Sequence, residues 1–204
     1  MMGDVVDDPV PLDGRVLLGW AEDLTTRLCH DLAGMAATLS GTLEMVLEDG
    51  GGEAAALAQE AASVLAARLR LFRASWGGGD LEQATLAGLA QGLPGRAKLS
   101  LDLAGLDAAL GDEGKRLVLC LLLAACAGMP FGGTITGSPV AGGGFRLTIG
   151  GRQAAWPAAV ANTAGPWVTE GGARALAATL AALAGSGLGW RLTLDGAAVT
   201  AAPG

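Results

Sequence analysis

From Val16 to Glu48 the apolar residues recur at steps of three and four: Leu17, Ala21, Leu24, Leu28, Leu32, Met35, Leu39, Leu43 and Val46. That spacing keeps one stripe along a helix and is incompatible with a strand. The stretch "EDGGGE" (Glu48–Glu53) breaks the pattern, because consecutive glycines end a helix and permit a tight reversal. A second stripe of Leu57, Ala61, Val64, Leu65, Arg68, Leu71 and Phe72 predicts a helix from Glu53 to about Trp76, closed by "WGGGD" (Trp76–Asp80). Two such helices around a short glycine turn form an antiparallel hairpin. A lone hairpin cannot bury seams of this width on both helices. The pattern therefore predicts a four-helix bundle from two chains, and hence a homodimer.

The remaining sequence has a different texture. Asp80–Gln91 reads as a short helix, and "AKLSLDL" (Ala97–Leu103) alternates as a strand. Asp112–Met129 reads as a buried helix, and Gly132–Gly151 as two strands around a Pro/Gly turn. Gly171–Ala184 reads as a further helix, and the last sixteen residues as a closing hairpin with a turn at Asp195–Gly196. The fold class expected is α+β: a helical hairpin, then an α/β sandwich with a mostly antiparallel sheet and helices on one face. The expected division is an arm over 1–13, a hairpin over 14–78 and the α/β part over 79–204.

Charge narrows the partners. The formal net charge is −7 and there is no Lys/Arg run. Nucleic acid is not expected, because phosphate backbones need a basic footprint. "MMGDVVDDPVPLDG" lacks the basic start and apolar run of a signal peptide. "LVLCLLLAACAGM" (Leu117–Met129) is too short to span a bilayer. A cytoplasmic protein with no membrane partner is expected. Cys29, Cys120 and Cys126 are odd in number and show no metal-ligand spacing, which predicts free buried thiols.

His30 is the only histidine in 204 residues. At 100° per residue it projects 200° from Leu28, onto the face opposite the seam. That face also carries Asp23, Thr26, Arg27, Gly34, Ala37, Gly41 and Glu44. A lone surface histidine most often has no chemical role. A metal site lacks a second histidine or a cysteine pair. A Ser–His–Asp triad lacks its Gly-x-Ser-x-Gly elbow. Phosphoryl transfer fits better. Neutral imidazole is a good nucleophile near pH 7. Asp31 can hold one ring nitrogen as N–H and leave the other lone pair free. Arg27, one turn back, can offset phosphoryl charge, with Thr26 beside it.

"RLCHDLAGMAATLSGTLEM" (Arg27–Met45) resembles the His-box helix of bacterial two-component signalling proteins. With its Leu-Cys-His-Asp-Leu it is most similar to the ChpT-type histidine phosphotransferases. The order of "KRLVLCLLLAACAGMPFGGTITG" (Lys115–Gly137) and "ALAATLAALAGSGLGWRLTLDG" (Ala175–Gly196) is similar too. The resemblance implies a dimeric bundle and a domain shaped like a histidine-kinase ATP-binding domain that no longer binds ATP. It implies that His30 relays a phosphoryl group between receiver-domain aspartates of a hybrid kinase and a response regulator. It also implies that the Mg²⁺ sits on the receiver. Many His boxes place proline shortly after the histidine, whereas here Gly34-Met35 occupies that region.

A kinase ATP site of that family needs an asparagine-bearing helix, an adenine-binding aspartate and glycine loops. The single asparagine, Asn162, lies after the central strands, and no Asp-x-Gly-x-Gly occurs. No ATP binding is expected. His30 is the expected phospho-acceptor, Asp31 its orienting partner, and Arg27 and Thr26 the flanking residues. Asp23, Gly34, Ala37, Thr38 and Gly41 are candidate receiver-docking positions. An active sensor kinase and a non-catalytic dimeric adaptor are the alternatives. Trp20 and Trp76 are expected near the joined ends of the hairpin, and Trp156, Trp167 and Trp190 in or around the α/β core. Asp102, Asp107, Asp112 and Glu113 read as strand-end and helix-start carboxylates.

Overall fold

A computed structural model describes residues 14–49, 51–77, 81, 84–162 and 176–204. The arm at 1–13, the junction at Gly78–Asp80 and Trp167 lie outside the described residues. The α+β expectation holds: helices combine with a five-stranded sheet.

The first helix, α1, spans Gly14–Asp49 and the second, α2, Gly52–Trp76. At 1.5 Å per residue α1 is about 54 Å long. Polar residues inside it are satisfied locally: the Thr38 hydroxyl donates to the Gly34 carbonyl, and Thr42 to those of Thr38 and Leu39. The helices pack along one another. Their seam residues diverge in burial. Leu28 is half-buried against the core, whereas Leu43, Leu57 and Val64 remain 48%, 43% and 48% exposed.

The expected helix over Asp80–Gln91 is shorter than its pattern. Among its described residues α3 (Leu86–Leu89) is the α-helical part, followed by a 3₁₀ turn at Ala90–Gly92. Thr85 is the N-cap, its hydroxyl accepting from the Gly88 N–H, so the helix cannot extend further back. Carboxylates from elsewhere hold this segment: Asp107 accepts from the Leu86 N–H at 2.9 Å and Asp112 from the Leu81 N–H at 3.5 Å.

Strand β1 (Leu99–Asp102) leads through α4 (Leu106–Ala109) into α5 (Asp112–Ala127). Asp102 ends its strand by accepting from the Ala104 N–H, and Asp112 and Glu113 occupy the first turn of α5. Every residue from Leu117 to Ala125 in α5 is buried, as the apolar run requires. Strands β2 (Gly133–Val140) and β3 (Gly144–Gly150) follow, then α6 (Leu176–Gly187), β4 (Trp190–Asp195) and β5 (Ala198–Pro203).

The sheet order is β1-β2-β3-β5-β4. Only β1–β2 is parallel; the other pairs are antiparallel. Pro139 sits inside β2 rather than in the turn, beyond the stretch that β1 pairs. The closing turn centres on Gly196 (φ 56°) and Ala197, with Asp195 still paired to Ala198. Alternation in β3 buries Phe145, Leu147 and Ile149 on one face while Arg146 faces outward. Phe145 meets Trp190 at 5.6 Å between centroids, and Trp156 is buried with its indole N–H donating to the Ala197 carbonyl.

Leu71, Phe72 and Ala74 of α2 belong to the same core as α5 and β3. Gly92 permits that approach. A Cβ there would collide with the Ala67 carbonyl oxygen and stand 2.8 Å from Leu71 Cβ.

Candidate functional site

His30 lies in the middle of α1 with its side chain 84% exposed. Among the described residues little covers the ring. The adjacent Asp31 turns the other way and is only 13% exposed. Consecutive helical residues diverge by 100°, so one position can serve solvent while the next faces α2.

The Asp31 carboxylate is shared by its two oxygens. Oδ1 lies 3.3 Å from His30 Nδ1. Oδ2 accepts a hydrogen bond from Arg27 Nε at 3.0 Å and lies 3.7 Å from a terminal nitrogen of Arg68. Arg27 is the i−4 neighbour on α1, the favoured spacing for such a pair. Arg68 comes from α2 and is 11% exposed. Its Nε donates to the Gly92 carbonyl, and its guanidinium lies 5.7 Å from the Phe72 ring centroid. Burial pulls the Arg68 guanidinium below its ordinary pKa, and the Asp31 charge opposes that shift.

Of the sequence-derived site residues, Arg27, His30 and Asp31 come together as one linked set. Arg27 engages Asp31 directly. Thr26 is exposed on the same helix, and Asp23 is half-buried with a partner of its own. Gly34, Ala37 and Gly41 are exposed, and a Cβ on either glycine would meet open space. Thr38 faces the groove between α1 and α2, beside Met35 and Thr42. Arg68 was legible only as a member of the α2 seam. A long cation inside an apolar stripe is the signal that marks it, since it needs a buried partner.

A cleft of about 350 Å³ opens beside this set, between Arg27 and Asp31 on α1, Leu123 and Cys126 on α5, and Leu176 on α6. Cys126 lines this cleft, and burial pushes its thiol, like that of the buried Cys120 elsewhere on α5, up to about 12, which disfavours the thiolate. All three cysteines are free, but the expectation that all are buried fails at Cys29. Cys29 precedes His30 and is exposed on the polar side of α1. No group of three or more His, Cys, Asp or Glu able to hold a metal ion occurs among the described residues.

Such a site has an exposed imidazole, a carboxylate on Nδ1 and two guanidinium groups behind that carboxylate. It can present Nε2 as a nucleophile to a second protein.

Residues 83–198 match the family model described as histidine phosphotransferase C-terminal domain. His30 and α1 precede the matched segment. A solved bacterial phosphotransferase structure superposes with a TM-score of 0.67 at 20% identity, covering 95% of this chain and 98% of that one. At that identity the likeness is one of fold, and it extends over the hairpin as well as the sheet. No curated protein matches the chain.

Proposed function

The chain belongs to the histidine phosphotransferase family, and from that premise we propose that it is a ChpT-type carrier relaying a phosphoryl group through His30. The observation that carries this reading is the His30–Asp31 pair: an 84% exposed ring with Nδ1 facing a carboxylate at 3.3 Å. Asp31 accepts a hydrogen bond from Nδ1–H, which leaves the Nε2 lone pair outward. Nε2 attacks the phosphorus of an aspartyl phosphate on a receiver domain. The N–P bond forms, the P–O bond to the aspartate breaks, and the carboxylate leaves with the electron pair. The imidazolium that results keeps its Nδ1 proton and is stabilised by Asp31. Transfer to a second receiver reverses these steps. The Mg²⁺ such chemistry uses belongs to the receiver in this reading.

The α/β part is proposed as a kinase-like ATP-binding domain that has lost its nucleotide. In support, the inward positions of α5 are apolar throughout and Asn162 lies after the 3₁₀ turn at Ala158–Ala161. The reading places the protein in the cytoplasm. No described helix is long and apolar enough to cross a membrane. Arg27 and Thr26 are proposed to flank the phosphoryl group. Asp23, Gly34, Ala37, Thr38 and Gly41 are proposed to receive the receiver domain, the open space beside both glycines allowing close approach and Thr38 lying where this face meets the α1–α2 groove.

The test is a transfer assay with radiolabelled phospho-receiver domains plus Mg²⁺, run beside labelled ATP. Acid-labile label should reach this chain from a receiver and not from ATP. Label from ATP would make it a kinase. Binding of receivers without label would make it an adaptor.

A homodimer is part of the same proposal. Leu47 is 85% exposed, and Leu43, Leu57 and Val64 leave further apolar surface on the hairpin. Beside them runs a groove of about 300 Å³ between α1 and α2, lined by Met35, Leu57 and Val64 among others. Light scattering should give twice the chain mass of 20.1 kDa. Val64→Asp, which would bury a charge in the seam, should give a monomer. A monomeric wild type would remove this element.

A further inference from the structure

We propose that Arg68 is a positioning residue for phosphoryl transfer: from α2 it fixes the Asp31 carboxylate so that Oδ1 stays on Nδ1 of His30. This rests on the reading of His30 as the phospho-acceptor.

The division of contacts on Asp31 carries the proposal. Both guanidinium groups take Oδ2, at 3.0 Å for Arg27 and 3.7 Å for Arg68. That leaves Oδ1 as the oxygen facing the imidazole. Arg27 alone is a weak clamp, because it is 35% exposed and only an i,i+4 neighbour on the same helix. Arg68 differs in every respect. Its side chain is 11% exposed, its Nε is held by the Gly92 carbonyl, and Phe72 lies beneath its guanidinium. A planar fork can bind the backbone with one nitrogen and aim another at Asp31, which a lysine ammonium cannot reproduce.

The groups around Arg68 leave Asp31 as its anionic partner among the described residues. Arg27 on α1 is a like charge. Cys126 faces it from α5, but burial pushes that thiol up to about 12, so it stays neutral. Gly92 sits in the 3₁₀ turn that opens the α/β part, pressed against α2 at Ala67 and Leu71. The orientation of the imidazole on α1 is thereby tied to the junction between the hairpin and the sheet-bearing part. Arg68 touches neither the ring nor an incoming phosphoryl group. It acts through Asp31.

The experiment compares wild type with Arg68→Gln and Arg68→Lys in the full chain. Three quantities are read: the rate of phosphoryl uptake from a phospho-receiver, the affinity for the unphosphorylated receiver, and the ¹⁵N spectrum of the imidazole. His30 is the only histidine, so one pair of ring nitrogens reports the tautomer without assignment. In Arg68→Gln the uptake rate should fall on the order of tenfold. Receiver affinity should stay within about twofold, because the docking face is untouched. The Nδ1–H tautomer should lose population. Arg68→Lys should recover only part of both losses.

A folded Arg68→Gln chain with an unchanged tautomer overturns the proposal, whatever the rate does. A rate loss that appears entirely as weaker receiver binding also overturns it. If Arg68→Gln does not fold, the Arg68→Lys spectrum decides by the same criterion. If wild type takes no label from any receiver, the carrier reading fails instead, and the tautomer comparison still decides whether Arg68 positions the ring.

Discussion

His30→Ala should abolish phosphoryl uptake from a phospho-receiver, by at least about 1000-fold, while the chain folds as before. The size follows from chemistry. Removing a nucleophile leaves no atom on which the phosphoryl group can rest. The described structure offers no second imidazole, since His30 is unique in the sequence. Beside it, Cys29 carries an exposed thiol. The fold should tolerate the change because the ring is 84% exposed. An exposed helical position replaced by alanine shifts stability by about 0.5 kcal/mol or less. The measurement pairs label transfer with far-UV circular dichroism and light scattering. Lost label with unchanged fold and mass fits the proposal. Retained label on the variant would move the acceptor elsewhere, and mapping the labelled peptide would find it.

Leu71→Ala should have the largest effect on stability, about 2–5 kcal/mol. Leu71 is fully buried and lies on α2, yet it belongs to the core of the α/β part. Truncating it opens a cavity where α2 meets the 3₁₀ turn at Gly92, a place with no room for even one added Cβ. The melting temperature should drop by on the order of 10 °C. Leu71 is also three residues from Arg68, so the loosened junction should free the Arg68–Gly92 contact. Phosphoryl uptake below the melting transition should therefore slow as well. A melting shift under about 2 °C would mean that the hairpin and the sheet do not depend on this contact.

Much of this architecture is legible in the sequence. The steps of three and four predicted helices over Val16–Glu48 and Glu53–Trp76, and the structure has Gly14–Asp49 and Gly52–Trp76. Asp112–Met129 reads as a buried helix, and α5 spans Asp112–Ala127. The shortfalls have local causes. Asp80–Gln91 carries a helical pattern, but a Thr85 cap and two glycines, Gly88 and Gly92, leave four α-helical residues among those described. Cys29 looked like one more buried thiol because cysteine usually is. Its place beside His30 on the outward face decided otherwise.

The site divides along the same line. The triplet Arg27, His30, Asp31 sits within five residues of one helix, so a 100° projection suffices to bring it together. Arg68 stands 37 positions from Asp31 and is visible in the sequence only as a cation interrupting an apolar stripe. Periodicity states which face a residue occupies on its own helix. It carries no information on which residue of another helix lies opposite. That depends on the register of α1 against α2 and on how closely the Gly92 turn packs beneath them, both settled by side-chain volumes across the junction. The sequence alone therefore determined the two long helices, the buried α5, the sheet class and the exposed histidine with its carboxylate. Only the tertiary structure decided that the carboxylate is gripped from the second helix, because an ion pair between distant segments exists only once packing has put them within reach.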